Sequence, residues 1–247
     1  MRGLGCVPDP PDHHDKSVYL LGLGSPVIPR ETSFRGFVPR ILDQGNTESC
    51  VANAVALAWA TVNALAGREV AIPSRLALYW WARHQHGATK TDSGTYCRAG
   101  VKALSKHGAP PESSWPFDAT AVGKKPPLRV VQAGFRHRGP AGYYRIFDDG
   151  KARLGAVQRA LASRIPMIFG VSVDDAFTSD SGPEWIPPRT GARVGGHAMM
   201  LTGYAEKDGE KWYQVVNSWG ARWRGDGTAF LHGSWVEEAW DLWALSL

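Results

Sequence analysis

The segment SCVANAVALAWATVNALAG, residues 49–67, carries no continuous polar face. A surface helix confines its apolar residues to one stripe, whereas here they run nearly all the way round. The helix is therefore expected to be central and enclosed by the rest of the chain. Ser49 fits an N-cap and Gly67 a C-cap. Enclosure needs length, and 247 residues suffice for one large domain or two closely packed lobes. A hydrophobic fraction of 43% and eleven tryptophans supply the packing material.

Helices are also expected at 74–87, 97–108 and 154–164. After Pro166 the pattern changes. MIFGVSV, HAMMLTGYAE, KWYQVVNSW and TAFLHG read as strands parted by Gly, Pro and Asp turns, and WVEEAWDLWAL reads as a helical turn followed by a returning strand. Helices followed by antiparallel strands predict an α+β protein of two lobes, about 36–128 mainly helical and about 129–247 mainly β. Residues 1–35 read as an attached arm. Its CVPDPPDHHD stretch should be irregular, and SVYLLGLGSPVI should lay down a short apolar strand.

The net charge of +5 comes without a long Lys/Arg run, so RHRGP and GKKPP indicate a modestly basic surface and no nucleic-acid partner. No segment approaches the ~18 apolar residues of a membrane span, and the N-terminus lacks the order of an export signal. Cys6, Cys50 and Cys97 are too few for a disulfide framework and form no CxxC pair. Cys6 and Cys97 are expected to be unrelated free thiols, with a bridge between them as the alternative. HQH (84–86) and HH (13–14) lack a full ligand set, so no metal or other cofactor is expected. RGD (224–226) reads as a structural turn.

Cys50 opens the buried helix, where free amides and the helix dipole favour a thiolate. His197 begins an apolar strand after two glycines, and Asn217 ends another just before Trp219 and Trp223. A thiol that attacks an acyl carbon needs a base, a group to orient that base and donors for the oxyanion. These residues could supply those parts, although each alone is as readily structural.

QGNTESC, GGHAMM and NSWGARW, in that order, resemble the motifs of the papain-type cysteine peptidases, and the resemblance spans about residues 35–247. It implies a two-lobe fold with an antiparallel, barrel-like β lobe and a cleft between the lobes. It further implies Cys50 as nucleophile with a lowered thiol pKa, His197 as its imidazole partner and Asn217 as the orienting amide. Trp219 would cover that contact, with Trp223 in support, and Gln44 would serve as oxyanion donor. The substrate would be a protein or peptide, cleaved as by an endopeptidase. Acyl transfer on the same triad, or silent peptide binding, are the alternatives.

The chain departs from the family pattern in several places. Thr47 stands where a disulfide cysteine is usual, Val51 replaces an aromatic residue, and Arg224 replaces a glycine. Glu48 replaces a small residue and is expected to favour basic side chains near the scissile bond. The resemblance assigns Gly94 to the substrate backbone and places a roomy S2 pocket between Tyr96, Gly170, Gly196 and Ala198. About 35 residues precede the match, too few for a helical prodomain. They are expected to lie along the cleft and restrain access.

Overall fold

The computed structural model describes residues 2–23 and 27–247. In chain order the elements are β1 (Cys6–Val7), β2 (Thr32–Ser33), α1 (Cys50–Leu65), α2 (Arg75–His84), β3 (Thr95–Tyr96) and α3 (Cys97–His107). There follow α4 (Leu128–Arg136), β4 (Gly142–Arg145), α5 (Gly150–Ala162), β5 (Met167–Asp174), α6 (Asp175–Thr178) and β6 (Trp185–Ile186). The last are β7 (Arg193–Lys207), β8 (Glu210–Val216), β9 (Thr228–His232), α7 (Gly233–Glu237) and β10 (Asp241–Ser246).

α1 is the enclosed helix its composition requires: every residue from Cys50 to Val62 is buried. Ser49 precedes it but does not cap with its side chain. Its hydroxyl instead meets Thr47 Oγ1 at 2.6 Å and accepts from Asn53 Nδ2 at 3.0 Å, which ties the turn before Cys50 to the helix. Gly67, at φ 66°, supplies the left-handed residue just past the helix end.

One sheet organises the second half, in the order β4-β10-β5-β7-β8-β9-β6, with β2 added to β7. All pairs are antiparallel except β6 with β9. Period-two alternation divides the apolar residues between two cores. Ile168, Ala198, Met200, Trp243 and Leu245 join α1, α2 and α3 in the first. Phe169, Met199, Leu201, Leu242 and Ala244 join α5, α7, Trp219, Trp223 and Trp235 in the second. The sheet is thus the floor on which α1 rests, and the strand bearing His197 runs beside the helix bearing Cys50.

One sequence expectation needs correction, and one element goes beyond the expected ones. The apolar part of the arm is not a strand: Val18–Leu21 form a 3-10 turn, entered at Ser17 and ended by Gly22 at φ 60°. The rest of that expected strand includes residues 24–26, outside the described residues. Helix α4 was not anticipated, because LRVVQAGFR is short, follows two prolines and contains Gly134. The arm packs on the body. Val18 is fully buried in the second core, and β1 pairs in parallel with β3, Cys6 opposite Thr95.

Candidate active site

Cys50 is the first residue of α1 and is fully buried. The backbone of Val51 and of Ala198 approaches its sulfur and favours the thiolate. Ala198 is the neighbour of His197 on β7, so strand and helix bring the thiol and the imidazole into one chamber. His197 Nε2 meets Asn217 Oδ1 at 2.7 Å. The Ser218 amide donates to the same oxygen at 2.8 Å, which identifies it as the acceptor. Nε2 therefore carries the proton, and Nδ1, buried and without a partner, keeps its lone pair. Trp219 stacks on the imidazole at 4.5 Å between centroids, and Trp223 meets Trp219 edge-on.

Gln44 is fully buried beside them. Ser218 Oγ donates to its Oε1 at 2.6 Å, which turns the Nε2 donor away from Ser218. That donor reaches Thr47 O at 2.8 Å and Gly3 O at 3.1 Å. Trp219 Nε1 donates to the same Gly3 carbonyl at 3.2 Å. The arm therefore passes through the chamber at the level of the amide donor.

Only glycine fits at positions 3 and 5 of this path. A Cβ on Gly3 would stand 1.9 Å from Thr47 O, and one on Gly5 would stand 2.3 Å from Glu48 O. Across the chamber a Cβ on Gly94 would meet Gly5 O at 2.1 Å, and one on Gly196 would meet Cys6 O at 2.0 Å. Thr95 N donates to Gly5 O at 2.8 Å, while Gly94 N donates to Tyr79 Oη at 3.0 Å. Gly94 thus packs on the arm, and its neighbour makes the backbone bond. Cys6 fills the hollow at Gly170 and Gly196, near the half-buried Tyr96 that leads into α3. Trp240 and Cys97 line the same hollow. Neither was anticipated, because only the return of β10 and the start of α3 bring them there.

Cys6 and Cys97 are not unrelated thiols: their sulfurs touch at 3.7 Å, both buried. Glu48 flanks the arm at Gly5, and its carboxyl is held above its usual value by partial burial and by Asp92. A cavity of about 570 Å³ opens beside Arg2, Leu4, Asp175 and Asp180, next to the arm. A cavity of about 710 Å³ lies elsewhere, among Trp59, Lys106, Arg136 and Arg138.

With the arm seated, burial pushes the Cys50 thiol well up and pulls His197 down to about 4. The expected lowered thiol does not hold in this state. The amides at Cys50 do favour the anion, but exclusion of water outweighs them. Burial thus disfavours the charged form of both groups.

The enclosed helix on a floor of strands, with its first residue facing the strand that bears the imidazole, is the architecture of a papain-like cysteine peptidase. Residues 28–235 match the papain family of cysteine proteases, and the chain belongs to that family. An uncharacterised peptidase C1-like protein of Acanthamoeba polyphaga mimivirus is 32% identical over 219 residues, covering 83% of this chain and 68% of the viral protein. Peptidase 1 of Psoroptes ovis is 22% identical, covering 88% of this chain and 65% of the mite protein. Among solved structures, xylellain, a cysteine protease from Xylella fastidiosa, superposes with a TM-score of 0.84 at 26% identity, covering 99% and 96% of the two chains. Digestive procathepsin L 3 of Tenebrio molitor shares the fold at a TM-score of 0.78 and 17% identity, covering all of this chain and 76% of the other.

Proposed function

We propose that the protein is a cysteine endopeptidase that works through Cys50, His197 and Asn217, and that its N-terminal arm restrains it. The observation that carries the reading is the buried His197 Nε2–Asn217 Oδ1 bond under Trp219, which leaves Nδ1 bare in the chamber of Cys50. In this reading the Cys50 thiol gives its proton to Nδ1 and the sulfur attacks the peptide carbonyl. The oxyanion takes hydrogen bonds from Gln44 Nε2 and the Cys50 backbone amide. As the C–N bond breaks, the imidazolium protonates the departing amine and a thioester remains. Water, deprotonated by Nδ1, then attacks the thioester and releases the acid and the thiol. Asn217 holds the ring in the tautomer this sequence of transfers requires.

The arm competes with each of these contacts. Gly3 O takes the Gln44 donor, and Cys6 occupies the hollow expected to take a substrate side chain. A substrate has to displace both, and burial under the arm keeps the thiol protonated.

Turnover of a mixed fluorogenic peptide library tests the reading, with wild type, Cys50→Ala, Gln44→Ala and a deletion of residues 2–7. The deletion stops short of Asp9 and Val18, because those residues are built into the body. The expected order is highest turnover in the deletion, less in wild type and none in Cys50→Ala, with Gln44→Ala reduced about a hundredfold. Silence of the deletion protein on a broad library, or turnover that survives Cys50→Ala, would sink the reading.

A further inference from the structure

Of the three cysteines, two have no part in the proposed mechanism, yet they touch. Cys6 lies on the arm and Cys97 at the first turn of α3, with sulfurs 3.7 Å apart and exposures of 5% and 0%. All three cysteines are free thiols. The backbone around the pair is already in register: β1 pairs with β3 through Cys6–Thr95 and Val7–Tyr96, and Cys97 follows directly. A disulfide holds its sulfurs about 2.05 Å apart. Side-chain torsions can close that gap while the strands stay paired.

We propose that Cys6 and Cys97 form a reversible redox latch that fixes the arm in the cleft. This rests on the reading of the cleft as a peptidase site restrained by the arm. A hydroperoxide is the oxidant. When the arm lifts, the Cys6 sulfur meets solvent and attacks the O–O bond, giving a sulfenic acid, while for hydrogen peroxide the expelled oxygen takes up the thiol proton and leaves as water. When the arm reseats, the Cys97 sulfur attacks the Cys6 sulfur, the S–O bond breaks and a second water leaves with the remaining thiol proton. Two thiols lose one electron each, and the peroxide is reduced by two. A dithiol reverses the bond, emerging as its own disulfide.

The location gives the bond its consequence. Cys6 sits in the hollow between Gly170 and Gly196, and Gly3, three residues back, covers the Gln44 donor. Without the bond, the segment 2–7 is held by its short pairing with β3, the Arg2–Asp180 ion pair, a few hydrogen bonds and its fit, so it exchanges between docked and lifted states. With the bond, the lifted state is removed from the equilibrium. Its hydrogen bond with Cys6, together with burial, holds the Cys97 thiol well above its ordinary value. Both docked sulfurs are buried from the peroxide, and the chemistry starts on the arm when it lifts.

Two measurements keep the latch and the peptidase reading apart. In full-length Cys50→Ala, hydrogen peroxide should yield a species lighter by two hydrogens. Peptide mapping should join the Cys6 and Cys97 peptides, and dithiothreitol should restore both thiols. This readout needs no activity. In wild type the same treatment should lower turnover by about tenfold or more, with recovery on dithiothreitol. Cys6→Ser should lack the dithiol-recoverable loss. Failure of the Cys6–Cys97 bridge to form in Cys50→Ala would overturn the latch, as would a Cys6–Cys50 bridge as the main product in wild type. Turnover lost equally and recoverably in Cys6→Ser would also overturn it. A mapped bridge in a protein whose deletion of residues 2–7 remains inactive would defeat the peptidase reading instead.

Discussion

Gly5 sits at φ 100°, a conformation open to glycine and strained for other residues, with its would-be Cβ in contact with Glu48. A valine there adds backbone strain of about 1–3 kcal/mol before any clash is counted. Each 1.4 kcal/mol or so is a factor of about ten in an equilibrium. Gly5→Val should therefore lift the arm and raise peptide turnover by about tenfold or more, with little change in melting temperature, because Asp9 and Val18 remain anchored. Rehydration should also bring the Cys50 thiol down, visible as thiolate ultraviolet absorbance at a pH where wild type shows none. Unchanged turnover and absorbance would mean that the arm does not control the site. Cys50, His197, Asn217 and Gln44 were legible in the sequence because they stand in three short motifs that resemble those of a family, although each alone is as readily structural. Gly3, Gly5 and Cys6 were not, since what they touch is a wall built from residues 44–48, 94–97 and 170–196.

At the scale of elements, the turn Trp223–Gly225 and the loop before β6 hold one flank of the cleft. Arg224 has φ 52°, where the family pattern has glycine, and the strain is offset by its reach. Its Nη2 donates to Ala176 O at 2.7 Å, its Nη1 to Pro183 O at 3.2 Å and its backbone amide to Asp180 O at 2.9 Å. Asp180 in turn holds Arg2 of the arm through Nη2 at 2.5 Å. Arg224→Gly should relieve the backbone yet release the loop. Hydrogen exchange over 176–183 should quicken by about tenfold for the loss of one or two such bonds, while the melting temperature stays nearly level. Exchange that is unchanged in this loop would show that Arg224 merely fills space there. Long periodic elements such as α1 and β7 announce themselves in sequence. The short ones do not: Val18–Leu21 looked like a strand because four apolar residues carry no period, and Gly22 decided the turn.

Across the whole molecule, the arm is tied to the last strand by a pair of carboxyls. Asp241 on β10 accepts from Asp9 N at 2.9 Å, and Trp243 Nε1 donates to Asp9 Oδ2 at 2.8 Å. Arg98 N donates to Asp9 Oδ1 at 3.0 Å, while Arg145 bonds Asp241 at 2.7 Å and reaches Asp15 at 3.3 Å. Arg98 also pairs with Asp15 at 2.5 Å, and the Cys97 thiol stands close enough to feel both Asp9 and Asp241. Burial first, and then the Asp9 charge, push Asp241 up to about 8, against an ordinary value of 3.8. A carboxyl raised in the folded state binds a proton that the unfolded chain gives up. Its stabilisation is complete below the ordinary carboxylate range and is lost as pH rises through about 8. The arm should therefore be held most firmly in acid and lose its hold progressively as pH rises from the ordinary carboxylate range to about 8. Hydrogen exchange at residues 2–9 should accelerate, beyond its intrinsic pH dependence, as pH rises from the ordinary carboxylate range to about 8 and then level off, and the thermal midpoint should decline over the same interval. Asp241→Asn can still accept the Asp9 amide proton and cannot titrate, so it should flatten both profiles. If the asparagine variant keeps the wild-type slope, or if the arm tightens as the solution turns alkaline, the carboxyl pair is not what ties the arm to the body.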